Sequence, residues 1–249
     1  MLILLPPSET KRQGGRPRPL EVATLAMPSL TPQREAVIDA LVSLSADEDE
    51  AARVLKLGAT QRGEVAVNAA LRASPTMPAI DRYTGVLYDA LDAASLDPAS
   101  RRWVARNVAI HSAPFGPVAA LDPIPAYRLG AGVALPGTPS LPRVWADAVT
   151  RALSDEAPSF VLDLRSEAYT ALGPVPAGVA SVYLRVVSDG DEGAVRALNH
   201  FNKHAKGALV RLLAQHRPRI ASRAGFRRWA VAAGLRVRDG APGEIQLFA

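Results

Sequence analysis

The chain of 249 residues contains no cysteine, which excludes disulfides, thiolate metal ligands and cysteine nucleophiles. That composition fits a reducing compartment. Long hydrophobic runs are missing as well. The N-terminal apolar run, Met1 to Leu5, is five residues long with no basic stretch before it, too short for the core of a secretion signal. No run approaches the ~20 apolar residues of a membrane-spanning helix. A soluble, cytoplasmic protein with no membrane partner is expected. The chain also lacks a phosphate-binding loop, a Gly-x-Gly-x-x-Gly fingerprint and a Gly-x-Ser-x-Gly elbow, so the common nucleotide and acyl-transfer signatures are absent.

Acid is lacking in one place. Between Gly193 and Arg238 there is no Asp or Glu, while Arg196, Lys203, Lys206, Arg211, Arg217, Arg219, Arg223, Arg227, Arg228, Arg236 and Arg238 all fall there. The formal charge of the whole chain is +5. A one-sign stretch of this length repels itself unless counter-charges lie nearby. It is either balanced by acids from elsewhere in the fold or a surface for phosphates. Val195, Leu198, Phe201, Ala205, Leu209 and Leu212 recur at helical spacing and predict one buried face. Arg196, His200, Lys203, Gly207 and Arg211 form a second stripe. Gly207 would let a phosphate approach the backbone, or let another helix pack closely. Pro218 should end this helix. His200 and His204 are spaced to share a metal. Neighbouring cations oppose that, so no metal site and no cofactor are expected.

Apolar residues make up 48% of the chain, enough for one sizeable core, and a single domain over 1–249 is expected. Met1–Leu5, Val108–His111, Phe160–Leu164, Val179–Val187, Leu235–Arg238 and Glu244–Phe248 read as strands. Helices are expected from Thr31, as the cap before Pro32, around Glu50–Leu57, over Gly63–Arg72, within Asp81–Leu91, over Arg143–Leu153 and over Arg219–Ala233. Ser8–Pro19 and Ser112–Gly132 read as loops. Without a regular βαβ rhythm, the fold class is α+β: a central mostly antiparallel or mixed sheet flanked by helices. The short helices near Gly58 permit a helix-hairpin-helix element.

Several segments, taken together, resemble the YaaA-type peroxide stress response family. They are the opening MLILLPPSETK, with Ser8 and Lys11; the turn Tyr83-Thr84-Gly85; and HSAPFGPVAALDPIPAYRLGAG, with Ser112, Asp122, Tyr127 and Arg128 in register. Ser166 and Tyr169 in DLRSEAY, and Lys203, Lys206 and Arg211 in NKHAKGALVR, continue the pattern. Glu9 stands where many members of that family carry lysine, with Lys11 just after Thr10. The resemblance implies a mixed fold with a helix-hairpin-helix and a basic cleft, DNA binding, peroxide resistance and limited intracellular iron.

On that basis, Lys11, Tyr127, Arg128, Lys203, Lys206 and Arg211 are candidate nucleic-acid or anion-binding residues. Cations would meet the phosphates of duplex or branched DNA with little base reading, and Tyr127 would stack on an unpaired base. The structural alternative is an Arg128 paired with Asp122 or Asp163 to pin a loop. A different class of function is an enzyme on an anionic small molecule, with Ser8, Tyr83, Ser112, Asp122, Ser166 and Tyr169 converging in one pocket. No nucleophile is assignable, and whether the chain is an enzyme stays open.

Overall fold

A computed structural model describes residues 1–187 and 195–248, with the side chains of 195–199 left out. The expectations for Val195, Arg196 and Leu198 therefore fall outside the described side chains.

The fold is α+β. The strands are β1 (Leu2–Leu5), β2 (Met77–Pro78), β3 (Val108–Ser112), β4 (Gly116–Ala119), β5 (Pro123–Ile124), β6 (Val161–Asp163), β7 (Ser181–Val187), β8 (Val237–Asp239) and β9 (Glu244–Phe248). Seven of them form one sheet in the order β4-β3-β1-β6-β7-β9-β8, and β2 pairs with β5 in a small antiparallel sheet. The large sheet is the mixed form of the two anticipated. Neighbours from β3 through β9 run parallel, and only β4 and β8, at the edges, pair antiparallel. Parallel strands buried on both faces read as continuous apolar runs. That is the pattern of β1, whose Ile3, Leu4 and Leu5 are fully buried.

The helices are α1 (Thr31–Leu44), α2 (Glu48–Val54), α3 (Gly63–Ala69), α4 (Ala79–Arg82), α5 (Val86–Leu91), α6 (Pro98–Asn107), α7 (Leu141–Asp155), α8 (Glu167–Thr170), α9 (Val195–His216) and α10 (Arg223–Ala232). Helix α6, not anticipated above, has a sequence-legible start. The Asp97 carboxylate accepts from the Ala99 and Ser100 amides, and Pro98 fills the first helical position, where its missing N–H costs nothing. Thr31, expected as a cap, lies inside α1 and makes no side-chain cap. Between α2 and α3, the Gly58 amide donates to the Gln61 side chain, and Arg62 pairs with Glu48 and Asp49. The Gly58 amide and the Arg62 guanidinium are thus already bonded. No helix among the described residues is long and apolar enough to cross a membrane.

Helix α9 packs along α5 through Gly207. A Cβ on Gly207 would lie 2.0 Å from the Leu87 carbonyl oxygen and 3.0 Å from the Ala90 methyl. Of the two roles open to this glycine, the close helix contact is the one observed. Gly207→Ala is expected to lose about 2–3 kcal/mol of unfolding free energy as the helices part, measurable by urea denaturation.

Candidate functional site

Strand β1 sits at the switch point of the sheet. The chain leaves it for β3 on one side and later returns to β6 on the other. In open parallel sheets such a reversal leaves a crevice outside the carboxyl ends of the strands. Ser8 and Lys11 follow β1, Ser112 ends β3, and Ser166 and Tyr169 follow β6.

The loop after β1 is held by the Tyr83-Thr84-Gly85 segment. Lys11 and Tyr83 form a β-bridge, the Arg12 amide donates to the Arg82 carbonyl, and the Thr84 amide donates to the Thr10 carbonyl. Gly85 has φ +93°, and a Cβ there would crowd the Thr10 and Ser8 hydroxyls at 3.3 and 3.4 Å. Glycine supplies both the conformation and the space. The Tyr83 and Tyr127 hydroxyls are 2.8 Å apart, with the Ser112 hydroxyl beside both. Burial holds the phenols of Tyr83, Tyr88 and Tyr127 well above the ordinary tyrosine range, so all are neutral hydrogen-bonding groups.

Lys11 lies on this aromatic floor. Its Nζ is 4.0 Å from the centre of the Tyr127 ring and donates to the Ser8 and Glu9 carbonyls at 3.0 and 3.2 Å. Burial, reinforced by the charge of Arg128, lowers its pKa to about 7, against weaker opposing pulls from Glu64 and Glu9. Arg128 is the adjacent cation. Its side chain is 18% exposed and pairs at 3.2 Å with Glu9, which is 81% exposed. Its backbone is clamped by Asn68 of α3: the Arg128 amide donates to Asn68 Oδ1 at 2.7 Å, and Asn68 Nδ2 donates to the Arg128 carbonyl at 2.9 Å. Asn68 is a residue the sequence reading missed. It sits in the apolar stripe of Val65, Asn68 and Leu71, all buried, and a lone amide at such a position is the available signal. Asn68→Leu leaves both backbone groups of Arg128 unpaired. A loss of about 2–3 kcal/mol is expected in chemical denaturation.

Beneath the crevice lies a buried charged cluster. The Arg165 guanidinium donates to both Asp163 carboxylate oxygens, at 2.9 and 2.6 Å, and through Nη1 to His111 Nδ1 at 2.8 Å and the Gly173 carbonyl at 2.9 Å. Because arginine only donates, His111 Nδ1 must be the acceptor and Nε2 carries the proton. Burial, with the charge of Arg165, keeps His111 well below its usual pKa and therefore neutral. Lys206 is 5% exposed and lies under this cluster, its Nζ 3.5 Å from the Arg165 carbonyl. Burial lowers its pKa to about 8, while Asp163 opposes the shift.

The remaining candidates divide. Ser166 and Lys203 are exposed. Arg211 donates to the Leu91 and Asp92 carbonyls, both at 2.9 Å, and to Ser95 Oγ at 2.8 Å, closing the carboxyl end of α5. Asp122 lies toward the other end of the β3–β4 pair, accepting from the Ala26 and Ala119 amides beside buried Arg34. Ser8, Lys11, Tyr83, Ser112, Tyr127, Arg128 and Tyr169 thus share one region, whereas Lys203, Lys206 and Arg211 are spread along α9. Other cations of the acid-free stretch have partners: Arg217 with Asp97, and Arg223 and Arg227 with Asp239. Among the described residues no group of three or more His, Asp or Glu is placed to hold a metal ion.

The sequence model of the family described as peroxide stress protein YaaA matches residues 1–236. The chain belongs to this family. A UPF0246 protein of Corynebacterium efficiens is 47% identical over 231 residues, covering 90% of this chain and 89% of that relative. A second, from Corynebacterium glutamicum, is 43% identical over 243 residues, covering 96% and 95%. A third, from Streptomyces coelicolor, is 46% identical over 219 residues, covering 86% and 82%. The family match spans every loop that builds the crevice.

Proposed function

We propose that this member of the peroxide stress family works through a small-molecule site: an anionic metabolite binds at the carboxyl ends of β1, β3 and β6, with Arg128 receiving its acid group. The observation that carries this reading is the pair Lys11 and Arg128. The Lys11 amine lies over the neutral Tyr127 and Tyr83 rings, and the Arg128 guanidinium, paired with Glu9, is near enough to depress its pKa. Two adjacent, partly desolvated cations are unfavourable for stability and favourable for an anion. DNA protection and limited iron then follow from what happens to that metabolite, without contact between this chain and DNA. A basic nucleic-acid face has less support, because Lys206 is buried and Arg211, Arg217, Arg223 and Arg227 already have partners inside the fold.

The test is calorimetric titration with oxo acids, phosphate monoesters and nucleotides, run beside duplex and branched DNA over a salt series. Binding of a small anion that weakens about tenfold in Arg128→Ala is expected. The reading fails if no small anion binds, or if Arg128→Ala binds equally well. It also fails if DNA alone binds, in a salt-sensitive way that Lys203→Glu removes.

A further inference from the structure

We propose that Lys11 is an imine-forming lysine whose partner is a small oxo acid: the carbonyl carbon meets Nζ, and the acid group takes Arg128 in exchange for Glu9. The inference rests on the anion site above and adds to it a covalent step and a ligand class.

An amine attacks a carbonyl only when it is unprotonated, and this one is held in a fixed place beside a cation. Lys11 Nζ is fixed by the Ser8 and Glu9 carbonyls at 3.0 and 3.2 Å, with the Tyr127 ring below it at 4.0 Å. The charged groups acting on it are Arg128 and Arg82, which favour the neutral amine, and Glu64 and Glu9, which oppose it. Together with burial they leave a substantial neutral fraction at physiological pH. The amine lone pair forms the C–N bond while the carbonyl π electrons move to oxygen. Both amine protons then leave with that oxygen as water, and the C=N bond closes. No oxidant or reductant is needed.

The acid group is what makes the ligand an oxo acid and not any aldehyde. Arg128 is mostly buried, yet its carboxylate partner Glu9 is 81% exposed and comes from the same loop as Lys11. A carboxylate so exposed contributes little to stability and is readily displaced. Glu9 therefore occupies the anion position in the free protein and competes with the ligand. Sequence alone did not reveal this, because Glu9 and Arg128 are far apart in the chain.

The chain has only four lysines, Lys11, Lys56, Lys203 and Lys206, so the site of modification can be read directly. The intact protein is incubated with pyruvate or 2-oxoglutarate, reduced with borohydride and mapped by peptide mass spectrometry between pH 6 and pH 9. A reduced adduct on Lys11 is expected, with a rate that reaches half its maximum near neutral pH. It is absent in Lys11→Arg, falls about tenfold in Arg128→Ala and rises about threefold in Glu9→Gln. Circular dichroism of each variant establishes that it is folded. A Lys11 adduct no faster than those on Lys56 and Lys203 overturns the proposal. So does anion binding in calorimetry without any adduct, which leaves the binding site itself standing. If neither binding nor adduct appears, both readings fall.

Discussion

Asp163→Asn should destabilise the protein by about 3–5 kcal/mol. The wild-type carboxylate accepts two hydrogen bonds from the Arg165 side chain, and both residues are almost fully buried. Taking two ions out of water is costly, and their mutual attraction repays the cost only while both are present. Asparagine keeps one acceptor but removes the charge and turns an NH2 group toward a guanidinium that has only donors. Arg165 is then a buried cation whose other side-chain partners, His111 and the Gly173 carbonyl, are neutral. For a chain of this length the loss corresponds to a fall of about 10 °C in melting temperature. A companion variant keeps the explanation specific. The apolar pair Asp163→Leu with Arg165→Met should be less destabilised than Asp163→Asn alone, because no unpaired charge remains. If the double variant is the worse of the two, the cost belongs to packing and not to the stranded cation.

The same cluster shows where the sequence was legible and where it was not. Most strand positions were readable because those strands are short apolar runs, and Glu244–Phe248 agrees to the residue, but β4 (Gly116–Ala119), with its glycine and proline, lies inside the stretch Ser112–Gly132 read as a loop. The order of the strands was not readable, since hydrophobic pattern reports burial and not which strand pairs with which. The parallel pair β1 and β3 is separated by the whole run of helices α1 to α6, so no local βαβ rhythm announced it. Strands β2 and β5 hold only two residues each, beside prolines, and their formation is decided by tertiary contact.

Charge was misleading for a related reason. The acid-free stretch looks like an open basic surface, but several of its cations meet carboxylates: Asp92 and Asp97 around α5 and α6 and Asp163 in β6, all from distant segments, and Asp239 just past its own end. A one-dimensional reading sees only neighbours in the chain. The crevice was half visible. Ser8, Lys11, Tyr83, Ser112, Tyr127, Arg128 and Tyr169 were singled out by sequence, while Asn68, Arg165 and the Glu9–Arg128 pair were not. An Asp and an Arg two residues apart at the end of a buried apolar strand, Asp163 in β6 and Arg165 just after it, are the signal that would have placed the ion pair inside.

Lys11→Met should remove reactivity at the crevice entirely and at the same time stabilise the fold at neutral pH. The sign follows from linkage. Lys11 has a pKa of about 7 in the folded protein and ~10.4 in the unfolded chain. Between those values the unfolded state binds more protons, so the lysine's contribution to stability is fully present above the higher value and lost as pH falls toward the lower one. At pH 7 the wild type therefore carries most of the desolvation penalty, and below pH 7 the penalty is constant. Methionine fills a similar volume without it. Lys11→Met forfeits the contact with the Tyr127 ring and the bonds to the Ser8 and Glu9 carbonyls, which loop water can replace. The net gain, discounted for the partial exposure of the side chain, is about 1 kcal/mol, or about 2–4 °C in melting temperature. Urea denaturation from pH 6 to pH 9 separates this from a packing effect. Wild-type stability should climb with pH above 7, and Lys11→Met should climb less, retaining the share due to Lys206, whose pKa is about 8. A structural lysine would behave oppositely: its removal would lower the melting temperature and leave the pH slope unchanged. A lysine whose charged form is disfavoured by burial and a neighbouring arginine is a group the fold maintains at a cost.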